Sequence, residues 1–185
     1  MFPKMMRAQK KYIKIFPEYV YKLKFNGYNQ NNTGLSGCGI VIYKNDIEVW
    51  ANSYFIEDKK IDNYAEYIAL ILGLHKAYFM NISHIMVESD NLPIINHMKG
   101  LHSCDSEGLM ELYCRAKELE SRFDNVSFTH IFKNDNKRAC ELSNVAIKNY
   151  LLDLHLFSFE TPIIYYFQLS KNLSKSSSSP KFSIK

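Results

Sequence analysis

The chain has 185 residues, 46% of them hydrophobic and 14% aromatic, with a net charge of only +4; this suits one globular domain with appendages and excludes a disordered or fibrous polypeptide. The charge is unevenly spread, with seven Lys/Arg against one acid in residues 1–25, eight against fourteen in residues 26–130, and eight against four in residues 131–185. Any attraction to a polyanion therefore sits at the ends, and with 19 of the 23 basic residues being lysine, bidentate arginine clamps on phosphate are few.

In chain order, residues 1–18 come first, a basic N-terminal arm or targeting segment. Lys4, Arg7, Lys10, Lys11 and Lys14 precede its one acid, Glu18. The pattern is loosely presequence-like, so mitochondrial or other organellar import and an arm retained in a cytoplasmic or nuclear protein both stay open. Its lysines either contact phosphates or are simply solvated. No secretory signal precedes the domain, and an intracellular protein is expected.

Residues 19–25 alternate apolar and polar side chains and predict a strand, after which Asn26-Gly27 opens a loop rich in Asn and Gly. Gly39 to Tyr43 predicts a second strand, Lys44-Asn45-Asp46 a turn, and Ile47 to Phe55 a third strand. Short turns between three strands imply an antiparallel meander. A helix follows with Asp62 as its N-cap, running to about Met80 with Ala65, Ala69, Leu72 and Lys76 along one side. Ile85 to Val87 predicts a short strand ending in Glu88-Ser89-Asp90, and Pro93 suits the first turn of the next helix. Leu109, Leu112, Ala116 and Leu119 mark a further helix from about Ser106 to Phe123; Val126 to Ile131 predicts a fifth strand, and residues 136–150 a last helix. His130 on the fifth strand reads as a packed core residue.

This order predicts an α/β domain over residues 19–150, with a mixed five-stranded sheet (three antiparallel strands, then two parallel additions) and helices on both faces. Residues 151–169 form an aromatic C-terminal extension, expected to pack on the domain or to dock a protein partner. Asp153, His155, Glu160 and Pro162 interrupt its apolar run, so no membrane span is expected. Residues 170–185, with four serines at 176–179, form a Ser/Lys-rich tail expected to be flexible. The cysteines Cys38, Cys104, Cys114 and Cys140 lack metal-site spacing, and free thiols in a reducing compartment are the expectation.

Three motifs stand on these elements: Asn63-Tyr64-Ala65-Glu66 at the start of the first helix, Glu88-Ser89-Asp90 at the end of the fourth strand, and Asn136-Lys137-Arg138-Ala139-Cys140 opening the last helix. The first loop adds Asn26-Gly27, followed by Asn32, Gly34, Gly37 and Gly39. In this order the segments resemble the type 1 ribonuclease H family with its reverse-transcriptase-like relatives, over roughly residues 19–150.

The resemblance implies a site in which four carboxylates hold two magnesium ions, about 4 Å apart, that clamp the attacking water and the leaving oxygen of a scissile phosphate. Magnesium requires hard, anionic oxygen ligands for this. Mapped position by position, Glu66 and Asp90 retain the family's carboxylates as metal ligands and catalytic residues. Asn26 stands where the first aspartate is expected, and Cys140 where the last is. An amide offers an uncharged oxygen and a thiol is too soft for magnesium, so half the carboxylate charge is gone and at most one weakly held ion is expected. Glu141 points away from Cys140 on a helix, and Glu88, two residues before Asp90 on the same strand face, is a minor candidate ligand.

Substrate-contact positions are better kept. Asn32 and Asn63 match asparagines that contact the minor groove of an RNA/DNA hybrid in the family, and Lys137 and Arg138 add basic contacts beside the site. The resulting expectation is a nucleic-acid-binding domain, for RNA/DNA hybrid or RNA, with hybrid cleavage lost or impaired, in effect a pseudoenzyme. A weak, still active hybrid ribonuclease and a scaffold subunit of a larger, possibly organellar, ribonucleoprotein assembly are the alternatives. The oligomeric state is left open.

Overall fold

Strands β1 (Tyr21–Gln30), β2 (Leu35–Lys44) and β3 (Ile47–Glu57) pair antiparallel, with Phe25 opposite Ile40 and Ile40 opposite Asn52. The β2–β3 connection is a two-residue turn, Asn45-Asp46, in which both residues have positive φ (50° and 64°). Asn and Asp tolerate that conformation, and it matches the twist of the flanking strands. The Asn45 side chain accepts from the Val20 backbone N–H at 2.9 Å, and Lys22 pairs with Asp46 at 2.7 Å, tying the turn to the start of β1. The computed structural model describes residues 20–30, 34–57, 61 and 63–157, with side chains to 154. The basic arm, Asn32, Asp62, the tail and most of the aromatic extension lie outside these residues.

β1 and β2 are longer than the sequence implied. The Asn/Gly-rich stretch is not an open loop: β1 continues through Asn26-Gly27 to Gln30, and β2 begins at Leu35, not Gly39. Its glycines mark places where helices press on the sheet. A Cβ on Gly39 would lie 1.9 Å from the Ala139 carbonyl oxygen, one on Gly37 2.0 Å from that of Ser143, and one on Gly27 2.2 Å from the Glu66 nitrogen. Only the absence of a side chain permits such contact.

Helix α1 (Tyr64–Phe79) follows β3. Its N-cap position is Asn63, one residue later than expected, in the left-handed region (φ 66°) and without a side-chain cap. The buried face runs through Ala69, Leu70, Gly73, Leu74 and Ala77, so Leu72 is only partly covered and Lys76 lies over the Trp50 ring. Gly73 lets the helix seat closely on Leu23 and Ile40, since a Cβ there would meet Leu23 Cδ1 at 2.6 Å.

β4 (His84–Ser89) then enters parallel to β1, pairing Leu23 with Val87 and Lys24 with Glu88. Asn91 caps α2 (Leu92–Met98), accepting from the Ile94 N–H at 3.1 Å, and Pro93 occupies the first turn. After α3 (Glu107–Glu120), β5 (Asn125–His130) adds parallel to β4. A 3-10 turn (Lys133–Asp135) leads into α4 (Lys137–Phe157), which runs seven residues past its expected end at 150. The sheet order is β3-β2-β1-β4-β5, the mixed five-stranded arrangement expected.

Alternation on β2 assigns the faces. Cys38 and Ile40 point into the core with α1, α2 and α3, which includes Leu23, Phe25, Tyr67, Leu70, Leu74, Val87, Ile94 and Ile95. Gly37 and Gly39 face α4, whose Ala139, Ser143, Ala146 and Ile147 are buried. His130 is exposed, contrary to expectation, because β5 is an edge strand on which Phe128 is the buried side chain. The chain divides into two compact units, residues 1–149 and 150–185; the described part of the second is the last stretch of α4. Among the described residues no helix is long and apolar enough to cross a membrane.

Candidate functional site

The parallel pairing of β1 with β4 stops at Lys24 and Glu88, and the middle of β1 and the end of β4 there lie side by side, near the first turns of α1 and α4. The four positions singled out in the sequence converge here. Asn26 comes from β1, Glu66 from the first turn of α1, Asp90 from the residue after β4, and Cys140 from the first turn of α4.

Amides hold this cluster together. The Asn26 Nδ2 donates to Glu66 Oε1 at 3.4 Å, a long contact, while its Oδ1 accepts from the Ser143 hydroxyl at 2.7 Å. Ser143 Oγ also lies 2.8 Å from the Cys140 carbonyl, so one hydroxyl proton serves two acceptors. Asn136 is fully buried, and its Nδ2 donates to Asp90 Oδ1 at 2.6 Å and to the Phe25 carbonyl at 2.9 Å. The sequence marked Asn136 as part of a motif but not as the group that binds Asp90. Ser143, three residues after Cys140 on the same helix face, carried that spacing as its only signal.

Burial pushes the Glu66 carboxyl up to about 8, and the Asp90 charge adds to this while the Gly27 backbone N–H opposes it. Glu66 is therefore largely protonated at neutral pH. Burial likewise pushes the Cys140 thiol up to about 11, reinforced by Asp90 and opposed by Lys133. At neutral pH Cys140 is an uncharged thiol.

The other expected residues are placed as follows. Asn63 accepts at Oδ1 from the Asn91 side chain at 2.8 Å, beside the cluster. Lys137 is exposed and lines a cleft of about 270 Å³ with Lys133, Asn134, Cys140, Glu141 and Asn144. Arg138 turns away to β3, where its guanidinium forks onto Glu48 at 3.1 and 3.2 Å. Glu88 is buried against Lys24, its register partner, at 3.4 Å. That pairing neutralises Glu88 within the sheet face and removes it as a candidate ligand.

A pair of magnesium ions does not fit these donors. Two divalent ions need about four negative charges nearby, and the cluster offers two carboxylates, Glu66 and Asp90, with an amide and a thiol at the other two positions. Asn26 presents its amide nitrogen, not its oxygen, toward Glu66. Two buried acceptors, Glu66 Oε2 and Asn136 Oδ1, have no hydrogen-bond partner among the described residues.

A family model described as reverse transcriptase-like matches residues 24–146. The chain is 29% identical over 123 residues to ribonuclease HI of Halobacterium salinarum, covering 66% of this chain and 62% of that protein. It is 28% identical over 126 residues to a bifunctional protein of Mycobacterium tuberculosis, covering 68% of this chain and 35% of that one. It thus spans less than two thirds of the length of these curated relatives. Among solved structures, RNase H1 from the halophilic archaeon Halobacterium salinarum superposes with a TM-score of 0.66 at 28% identity, over 70% of this chain and 98% of that one. LC11-RNase H1 in complex with RNA/DNA hybrid superposes with a TM-score of 0.66 at 26% identity, over 71% and 99%. Element order, sheet topology, converging motifs and these matches together make the chain a member of the reverse transcriptase-like family of ribonuclease H-like domains.

Proposed function

We propose that this protein binds RNA/DNA hybrid or RNA through its ribonuclease H-like domain and has lost, or nearly lost, the ability to cleave it. The observation that carries the reading is the Asn136 amide on Asp90, 2.6 Å away, in a cluster where Asn26 and Cys140 occupy the positions expected for the other two carboxylates. Magnesium, where it binds at all, binds singly and weakly on Glu66 and Asp90. Two ions would serve the attacking water and the leaving oxygen; one ion on Glu66 and Asp90 would leave one of these unassisted and so raise the barrier.

Binding has separate support. A relative of similar fold and 26% identity, LC11-RNase H1, is described in complex with an RNA/DNA hybrid. Asn63 is held at the mouth of the cluster by Asn91, where an uncharged donor and acceptor can meet 2′-hydroxyls in a shallow minor groove. Asn32 and the basic arm, outside the described residues, belong to the same proposal, as does an intracellular setting.

The buried, unpartnered Glu66 Oε2 favours one competing reading, a slow single-ion nuclease. A labelled hybrid incubated with the protein in magnesium or manganese separates the two. The expectation is binding without cleavage, and appearance of cleavage in Asn26→Asp with Cys140→Asp. Cleavage by the unmodified protein that disappears in Glu66→Ala would overturn the proposal in favour of the single-ion enzyme. Absence of hybrid and RNA binding would overturn it in favour of a scaffold role.

A further inference from the structure

The cleft beside Cys140 is lined by two ammonium groups, Lys133 and Lys137, two side-chain amides, Asn134 and Asn144, the Cys140 thiol and one carboxylate, Glu141. We infer that it is a metal-independent seat for one backbone phosphate of the bound nucleic acid, with Lys133 and Lys137 as its cations. The inference rests on the nucleic-acid-binding reading above and specifies how a phosphate is held where two metal ions are not.

The charge balance supports it. A site with four ionised carboxylates and no metal repels a phosphodiester, so an intact site of that kind needs its ions even to bind closely. Here an amide and a neutral thiol replace two of the four, and the thiol sits in the wall of the cleft. Of the two carboxylates left, Glu66 is buried and Asp90 is bonded to the Asn136 amide. The replacements thus lower the repulsion, and in the cleft lining two lysines stand against one carboxylate, Glu141. Lysine holds phosphate as a point charge and needs no fork geometry.

The seat is also pre-positioned. The 3-10 turn carrying Lys133 and Asn134 is closed by the Asp135 N–H on the Phe132 carbonyl at 2.8 Å and the Asn136 N–H on the Lys133 carbonyl at 3.1 Å. Lys24 on β1 reaches across to donate to the Asp135 carbonyl at 2.8 Å, which fixes the turn to the sheet. On the opposite wall the Asn144 amide donates to the Cys140 carbonyl at 2.7 Å. Lys137, on the first turn of α4, faces the turn across this gap.

The test measures hybrid affinity by fluorescence anisotropy from 50 to 300 mM salt in EDTA, with the full chain. The expectation is that the unmodified protein binds equally in EDTA and in magnesium. Lys133→Ala with Lys137→Ala should reduce the steepness of log affinity against log salt by roughly 1, at about 0.9 for the one phosphate the seat neutralises. Lys148→Ala, exposed on α4 outside the cleft, should leave the slope unchanged. Asn26→Asp with Cys140→Asp should weaken binding in EDTA and recover it in magnesium. An unchanged slope in the double-lysine variant, or an equal drop in Lys148→Ala, overturns the seat while leaving the binding function standing. Failure of the unmodified protein to bind any hybrid or RNA overturns the functional reading itself.

Discussion

The Asn136 side-chain nitrogen donates at once to Asp90 Oδ1, 2.6 Å away, and to the Phe25 carbonyl, 2.9 Å away, so one buried amide ties the middle of β1 and the residue after β4 to the start of α4. Asn136→Ala removes both bonds, one of them to a charged carboxylate, and leaves a backbone carbonyl unsatisfied. A stability loss of about 3 kcal/mol is expected, read from urea unfolding. A loss below about 0.5 kcal/mol would mean that the clamp contributes nothing net.

Asn26→Asp alone places a carboxylate against Glu66, where an amide now donates at 3.4 Å. In EDTA the variant should be less stable by about 1–2 kcal/mol, since the amide donor is lost and a further negative charge enters a partly buried site beside Asp90. Manganese should raise its Tm while leaving that of the unmodified protein nearly still. Equal responses to manganese in the two proteins would contradict the view that the amide stands in for metal at this position.

Glu66 makes stability depend on pH in an unusual direction. Its folded value, about 8, lies above the ordinary 4.5, so between these the native state holds a proton that the unfolded chain has released. Stability from this group is complete below pH 4.5 and falls as pH rises through 8, by up to about 1.4 kcal/mol per pH unit. Denaturation in EDTA at pH 6 and pH 8 should show the decline, and Glu66→Gln should flatten it. A slope unchanged by Glu66→Gln would refute the assignment.

His97 acts oppositely at the acid end. Burial lowers its value below 6.5, and its Nδ1 lies 2.9 Å from the Tyr67 hydroxyl, against which its ring stacks. The unfolded chain then binds a proton first, so stability is lost as pH falls from about 6.5. His97→Asn should shrink that loss, as a Tm series from pH 7 to pH 5 would reveal; an undiminished acid loss would place its origin elsewhere.

Two glycines of one strand pair should respond very differently. Gly39→Ala puts a methyl 1.9 Å from the Ala139 carbonyl and forces α4 off the sheet, at a cost of roughly 3 kcal/mol or more. A Cβ on Gly34 meets nothing within 4 Å among the described residues, so the expected cost is that of the positive φ of 68°, about 1 kcal/mol. Comparable losses in the two variants would disprove the close approach of α4.

Much of this is legible in the chain itself. Alternation in residues 19–25 and 126–131, helical spacing in residues 109–119 and the Asn45-Asp46 turn depend on neighbours a few residues apart, and the elements appear where those patterns lie. The stretches that read differently in sequence and in structure share a cause. Asn26 to Gly39 reads as loop because its glycines signal local flexibility, whereas Gly27, Gly37 and Gly39 answer to helices that arrive later in the chain. Gly27 meets α1 at Glu66, and Gly39 meets α4 at Ser143. His130 departs from expectation because the exposure of an edge strand is set by what packs against it.

Family, the order of strands and helices, and the residue types at the four positions of the site are all readable from the chain alone, because they are properties of local pattern and covalent identity. What these residues do to one another is a matter of packing. The Asn136 amide lies on Asp90 from 46 positions away, and the Ser143 hydroxyl on Asn26 from 117. Glu66 keeps its proton for the same reason: its burial and the neighbouring Asp90 charge exist only once the elements have come together.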